Sequence, residues 1–475
     1  MPLPTPVGEY TVYTVRSGDT LSVIAMRYGI SMRTLIRANR IANANLLQIG
    51  QQIYIPAEDL PFVTVTPSPG LAATVEGASP EPTSSPEPGA PATDEVVTEG
   101  ATTSTAEQTP ESQALPNSTG AETPTQSPTP TLPPQPMELG IALYTSPQSV
   151  EVDSAVLTAL GAQWAKLTAD WSDLEAVPGV IDYSQLDAAV DALNARGIQV
   201  LLTISGAPDW TRSAHDESGP PDDFSLFAEF LTEFASHYVD RIQAYEIWDE
   251  PNLRREWNSA VHPLSAASYA ELLRAAYPAI KAGDSTALVI SGGLAPTGMD
   301  DGFNAINDRR FLTELLQAGL NTFADGIGLH PYGFGNPPDV ACCEVPEGVE
   351  SHTGDVSFYF QSMLDAYAQA AMMVSPALPL WITSFGWGVA EPGQEVLRNF
   401  IYVTYNTPEE QAAFTTAALD MGKDLGIVRV MILSNLNGCA FQTDNAEVCY
   451  LSINPTAETP RPLFEALRER ARAQQ

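Results

Sequence analysis

The chain has 475 residues, 44% of them apolar, enough for two or three domains with sizeable cores. Its 58 acidic against 22 basic residues give a formal net charge of -36 and a pI near 4.2, which excludes nucleic acid, whose phosphates need clustered Lys and Arg, and disfavours anionic membranes. No run of about eighteen apolar residues occurs, so no membrane span is expected, and the opening MPLPTPVGEY lacks the charged and apolar regions of a signal peptide.

Residues 10–57 read as a small βααβ module. YTVYTVRSGDTL alternates as a strand does, LSVIAMRYG and SMRTLIRANR carry apolar residues at helical spacing, and GQQIYIPA closes with a second strand. Gly18 permits a tight turn, and Asp19 or Thr20 can cap the first helix. The run VRSGDTLSVIAMRYGISMRTLIRANRI, followed by NLLQIGQQIYIP, resembles the LysM domain from its GDTL turn to its terminal IP. The resemblance implies a shallow groove for N-acetylglucosamine-containing chains, peptidoglycan or chitin. Gly18, Asp19, Thr20 and Leu21 would form one wall, and the stretch 42–49, with Asn43, the other. Arg16, Arg27, Arg33, Arg37 and Arg40 stand against Asp19, a local basic balance that suits an anionic wall polymer.

Residues 58–136 are rich in Pro, Thr, Ser and Glu, as in SPEPTSSPEPGAPATDEVVTEGATT and PTQSPTPTLPPQP, with no Lys or Arg between 62 and 135. Such a tract cannot bury enough apolar area to offset its ordering entropy. It is expected to be a disordered, partly polyproline linker, of the kind that holds two modules apart outside the cell.

From 137 to 475 strand-like and helix-like segments alternate. The strand candidates are ELGIALYT, QWAKLTADW, IQVLLTISGAP, IQAYEIWDEPN, ALVISGGLAP, GIGLHPYGFG, LPLWITSFGW and VRVMILSNLN; DYSQLDAAVDALNARG, DFSLFAEFLTEFASHYVD and SYAELLRAAYPAIKAG are amphipathic. Eight strands each followed by a helix predict an α/β fold, a (β/α)8 TIM barrel with its active residues at the carboxyl ends of the strands. An open doubly wound sheet would show a Gly-rich phosphate turn after its first strand, and ALYTSPQSVE is not one.

Asp170, Trp171, Asp209, Trp210, the stretch 248–252 with Asn252, His330, Tyr332, Ser384, Trp387, Asn435 and Asn437 all fall at those strand ends. Rings beside carboxylates, amides and a histidine describe a site for a polyhydroxylated ligand. YEIWDEPN at the fourth strand, GLHPYG at the sixth and PLWITSFGW at the seventh make the barrel resemble the clan A glycoside hydrolases, which include cellulases, mannanases and family 39-like xylosidases. The resemblance implies Glu250 as general acid/base, His330 and Tyr332 as lining groups that support the nucleophile, and a nucleophilic glutamate at position 384. The sequence departs from the clan twice: Ser384 stands where the nucleophile belongs, and Asp249 where an asparagine usually contacts the sugar 2-hydroxyl.

A retaining mechanism needs two carboxyl groups roughly 5–5.5 Å apart. A serine without an adjacent base is a weak nucleophile, and His330 is the candidate base. Three readings follow: a glycan-binding pseudoglycosidase; a displaced acid, with Glu391, Asp170 or Glu246 serving a shifted or inverting geometry; or a substrate-assisted N-acetylhexosaminidase in which Asp249 orients the substrate's acetamido group and Glu250 protonates the leaving oxygen. A purely structural wall protein, with LysM as anchor and the barrel as spacer, is the non-enzymatic alternative. Cys342, Cys343, Cys439 and Cys449 fall on loops at the rim and allow three pairings, most simply Cys439 to Cys449 with Cys342 to Cys343. Adjacent cysteines lack zinc-site spacing, and neither metal nor cofactor is expected. The partners expected are peptidoglycan or a chitin-type glycan for the first module and an oligosaccharide for the barrel, at an extracellular or cell-wall location.

Overall fold

The computed structural model describes residues 10–16, 24, 27, 28, 35, 38, 39, 50–56, 136–215, 217–343, 354–391, 393, 396, 398–441, 446–454 and 460–473. The linker and the groove positions Gly18, Asp19, Thr20, Leu21 and Asn43 lie outside the described residues.

In the first module β1 (Tyr10–Thr14) pairs antiparallel with β2 (Gln52–Pro56), Tyr10 opposite Pro56 and Thr14 opposite Gln52. Ile24 and Leu35, both helical, are buried with Ile53 and Ile55. The Asn39 amide ties the second helical segment to β2. Its Nδ2 donates to the carbonyls of Leu35 (2.8 Å) and Tyr54 (2.7 Å), and its Oδ1 accepts the Tyr54 N–H at 2.6 Å.

The second module is a closed parallel barrel. Its strands are β3 (Glu138–Ala142), β4 (Trp164–Asp170), β5 (Gln199–Ser205), β6 (Ala244–Ile247), β7 (Leu288–Ser291), β8 (Ile327–Leu329), β9 (Leu380–Phe385) and β10 (Val428–Leu433). They follow one another in the order β7-β6-β5-β4-β3-β10-β9-β8. Parallel bridges Ile290 to Gly326 and Leu294 to Leu329 join the two ends. A helix follows each strand: α1 (Val150–Ala159), α2 (Ser184–Asn194), α3 (Phe224–His237), α4 (Ala266–Gly283), α5 (Asp308–Gln317), α6 (Phe360–Met372), α7 (Pro408–Leu425) and α8 (Pro462–Ala473). Their starts carry the expected chemistry. Asp223 and Ser265 cap α3 and α4, while Thr407 and Glu410 form a capping box around Pro408 at the start of α7.

Two apolar layers hold the barrel. Outside the strands, residues such as Ile141, Val200, Tyr245, Leu329 and Phe385 pack against the buried faces of the helices. Inside, Trp164, Leu201, Ala244, Ile290, Trp381, Val430 and Ile432 plug the amino-terminal end. Trp164 and Trp381 meet edge to face, centroids 5.1 Å apart, and Gly140 is required beside them, because a Cβ there would collide with Ile432 and with Trp164. Two residues further along β4, β5 and β6 the interior becomes polar, with Lys166, Thr203 and Glu246. No helix among the described residues is long and apolar enough to cross a membrane.

Candidate active site at the carboxyl end of the barrel

The carboxyl ends of the strands surround a cleft of about 880 Å³ whose lining includes Tyr144, Lys166, Asp170, Asp249, Glu250, His330, Tyr332, Ser384, Ser434, Asn435 and Glu447. Its floor is a buried ion pair. Lys166 Nζ lies 2.8 Å from Glu246 Oε2, which also accepts Thr203 Oγ1 at 2.5 Å, while Glu246 Oε1 accepts the Gly293 N–H at 2.9 Å. Burial raises the Glu246 carboxyl, but the Lys166 and His330 charges outweigh it and hold it below its ordinary value; Lys166 is held above its own. Glu246 is fully buried and committed to Lys166, so the structure removes it from the displaced acids.

The fourth-strand motif is strained. Trp248 and Glu250 have φ of 72° and 44°, conformations that cost about 1–3 kcal/mol each for non-glycine residues and collect at functional sites. Three hydrogen bonds hold them: Trp248 N to the Ile204 carbonyl (2.9 Å), Trp248 Nε1 to the Glu256 carbonyl (2.8 Å) and Glu250 N to the Gly293 carbonyl (3.0 Å). The Glu250 carboxylate is then held between two partners. His330 Nδ1 is 3.3 Å from Oε1, and the Arg255 guanidinium pairs with Oε2. Burial works to raise this carboxyl, but the His330 hydrogen bond and the Arg255 charge prevail and hold it down at about 2. Glu250 is therefore ionised at neutral pH, the wrong state for a proton donor. Arg255 also reaches Glu256, whose carboxyl burial and the Asp249 charge push up to about 7; Glu256 does not line the cleft.

Asp249 opens partly onto the cleft, yet its Oδ1 is buried without a hydrogen bond, facing His330 Nε2 at 3.8 Å. Burial raises its pKa, against the attraction of Lys166 and His330. Gly293 is needed here, since a Cβ would strike the His330 ring. Glu246, Asp249 and His330 bring one ligand-type atom each within 4.8 Å of one another; the Lys166 ammonium is already the cation of that cluster.

At the seventh strand Ser384 belongs to a cluster of hydroxyls. Its Oγ is 2.5 Å from Tyr332 Oη and hydrogen-bonded to Ser434 Oγ, and Ser434 lies 3.3 Å from the same phenol. Burial pushes the Tyr332 phenol well above its usual pKa, so it is no base. His330, the expected base, turns its Nδ1 to Glu250.

Asp170, Asp249, Glu250, His330, Tyr332, Ser384 and Asn435 are brought together in this cleft. Asp170 is raised by burial, against a hydrogen bond from Ser205 at 3.1 Å. The Asn435 amide is fastened to Val448, Gly438 and Ser452. Four other expected contacts are placed elsewhere. Trp171 is fully buried, stacked on Phe230 with Nε1 donating to Glu175 Oε2 at 2.7 Å. Trp387 is buried against Phe360, its Nε1 on the Asn336 carbonyl. Asn252 is buried too, its Nδ2 spent on the Ala295 and Ile306 carbonyls. Trp210 is exposed on the turn after β5, edge-on to Trp171 and not in the lining. Glu391 is drawn to Arg461, at 2.7 Å, outside the lining. Cys439 is bonded to Cys449, and Cys342 to Cys343.

Sequence reasoning missed Arg255, Ser434 and Glu447. It also missed Lys166, although a lysine inside the otherwise apolar WAKLTA was a signal, since a buried lysine requires a partner.

The chain carries a small N-terminal module followed by a parallel (β/α)8 barrel with a polar cleft at the carboxyl ends of its strands. Residues 13–56 match the model of the LysM domain family. The barrel is similar to a family 39 glycoside hydrolase from the gut symbiont Bacteroides cellulosilyticus WH2, at 18% identity and TM-score 0.55 over 71% of this chain and 63% of that one. It is also similar to GH5_18 from Streptomyces cattleya, solved in complex with GlcNAc (16% identity, TM-score 0.52, 72% of this chain and 82% of that one). A glucosidase from Croceicoccus marinus shares the fold at 14% identity and TM-score 0.50, over 71% and 67% of the two chains. This chain thus spans less than two thirds of the family 39 enzyme, and these likenesses concern the fold.

Proposed function

We propose that this protein is a carbohydrate-binding protein of the cell wall or extracellular space. The LysM module (10–57) holds an N-acetylglucosamine-containing glycan such as peptidoglycan or chitin. The linker (58–136) spaces it from the barrel (137–475), whose cleft binds an oligosaccharide and does not run a retaining reaction through Ser384. One observation carries this reading: the Ser384 hydroxyl is bound into the Tyr332 and Ser434 cluster, and His330, the expected base, turns its Nδ1 to Glu250 instead. The substrate-assisted scheme is disfavoured as well, because it needs Glu250 as proton donor and Arg255 and His330 keep Glu250 ionised. A family 5 neighbour that binds GlcNAc makes amino-sugar glycans the first ligands to try.

The test has two arms. Calorimetry of the full chain with soluble oligosaccharides and sedimentation with insoluble peptidoglycan and chitin should show binding; binding to none of them refutes the reading. Incubation with activated 2-deoxy-2-fluoro glycosides, followed by mass spectrometry, should leave Ser384 unmodified. A glycosyl adduct on Ser384 would make it a true nucleophile.

A further inference from the structure

One acidic side chain in the cleft has no part in the reading above. Glu447 lies in the first turn of the short helix Ala446–Leu451 that follows β10, and it lines the same cleft as Glu250. The helix is tied to the barrel at several points. Asn435, just beyond β10, donates Nδ2 to the Val448 carbonyl at 3.0 Å, and Ser452 Oγ donates to the same carbonyl at 2.8 Å. Buried Arg461 donates Nη1 to the carbonyls of Tyr450 (2.6 Å) and Ser452 (2.7 Å), and Nη2 to Val389 on the loop after β9. Cys449 is bonded to Cys439. Glu447 is thus presented on an anchored platform, beside the strand end that carries Ser434.

We propose that Glu447 is the second carboxyl group of this cleft, the general acid of an inverting glycoside hydrolysis in which Glu250 is the base. This rests on the reading that the cleft binds a glycan and extends it to turnover. Both carboxylates line the one cleft, and the charges of both raise Tyr332 and Arg255. Their environments drive them apart, the arrangement that separates an acid from a base. Desolvation by the cleft walls and the Glu250 charge raise Glu447, whose side chain still reaches solvent, against a hydrogen bond from Tyr402 Oη at 3.0 Å and the Arg255 charge, whereas Glu250 is held at about 2. Two other acids of the lining are raised as well: Asp170 answers to Asp173 rather than to Glu250, and Asp249 turns its Oδ1 to His330 Nε2 at 3.8 Å, beside the Lys166 charge.

The step balances with water as the co-reactant. Glu447 gives its proton to the glycosidic oxygen as the C1–O bond breaks. Water attacks C1 from the opposite face and passes a proton to Glu250, and the product anomer is inverted. The short Ser384 side chain, engaged by Tyr332 and Ser434, leaves that side of the cleft to water rather than to a protein nucleophile.

The full chain is tested on chitopentaose, cellopentaose, xylopentaose and mannopentaose, with binding read by calorimetry and the product anomer by proton NMR. Cleavage of one of these with inversion is expected. Glu447→Gln and Glu250→Gln should each slow it by about a hundredfold or more, with binding within about threefold of the unmodified chain. A 2,4-dinitrophenyl glycoside of the cleaved sugar, whose leaving group needs no proton, separates the roles and controls for folding. Glu447→Gln should turn it over at a rate near that of the unmodified chain, and Glu250→Gln should not. Retention of configuration, or unimpaired cleavage by Glu447→Gln, overturns the assignment. Binding without cleavage of any pentasaccharide overturns it too while leaving the glycan-binding reading intact; binding of none overturns both.

Discussion

Replacing Lys166 by methionine should destabilise the barrel more than any exposed charge change, because it leaves a carboxylate inside the barrel without its cation. Lys166 and Glu246 have side-chain exposures of 8% and 0% at 2.8 Å, and among the described residues the hydrogen bonds left to the charge come from Thr203 and the Gly293 N–H. Breaking a buried pair from one side costs about 3–5 kcal/mol, which for a domain of this size lowers Tm by about 4–7 °C. Removing both charges in Lys166→Met with Glu246→Gln should recover more than half of that loss, since no uncompensated ion remains. The assay is chemical denaturation followed by intrinsic fluorescence. All seven tryptophans lie between 164 and 387, so the signal reports the barrel alone. In Lys166→Met the folded Glu246 pKa rises above its unfolded value. The deficit should therefore be absent at pH values below the unfolded pKa, about 4.5, and build as pH rises through it toward the folded value. A loss below about 1 kcal/mol at pH 7, or a double variant no more stable than the single one, would refute the pair as the source.

Arg255→Ala should let the Glu250 carboxyl titrate well above its present value of about 2, read by carbon-13 NMR of the side chain. The stabilising share of its charge, present above the unfolded pKa and lost as pH falls through the folded one, would then disappear at higher pH. An unchanged titration would mean that His330 alone holds it. Trp171→Ala should cost about 3–5 kcal/mol of stability, as large-to-small core changes do, and leave glycan affinity in the native protein within a few fold. A large affinity loss with stability retained would return Trp171 to the cleft.

The eightfold alternation of strands and helices was legible because burial imposes two periods on the sequence, and these ran uninterrupted from ELGIALYT to VRVMILSNLN. Position at a strand end was also enough to gather Glu250, His330, Tyr332 and Ser384 into one cleft, since a parallel barrel presents all its strand ends on one face. Side-chain direction beyond the strand was not legible. Trp171 and Trp387 follow their strands as closely as Ser384 does, yet both turn into the helical shell, where an indole gains more from burial than from the cleft rim. Lys166 and Glu246 stand 80 residues apart in sequence and become one ion pair only through the parallel register of β4, β5 and β6. Glu447 lies in a six-residue helix too short to show a period, and the tertiary bonds of Asn435, Ser452, Arg461 and Cys439 bring that helix to the cleft. The sequence by itself determined the architecture and the serine at position 384, both written in local pattern and residue identity. The structure alone decided which charges meet, because a charge inside a protein is set by the groups that surround it, and those come from distant parts of the chain.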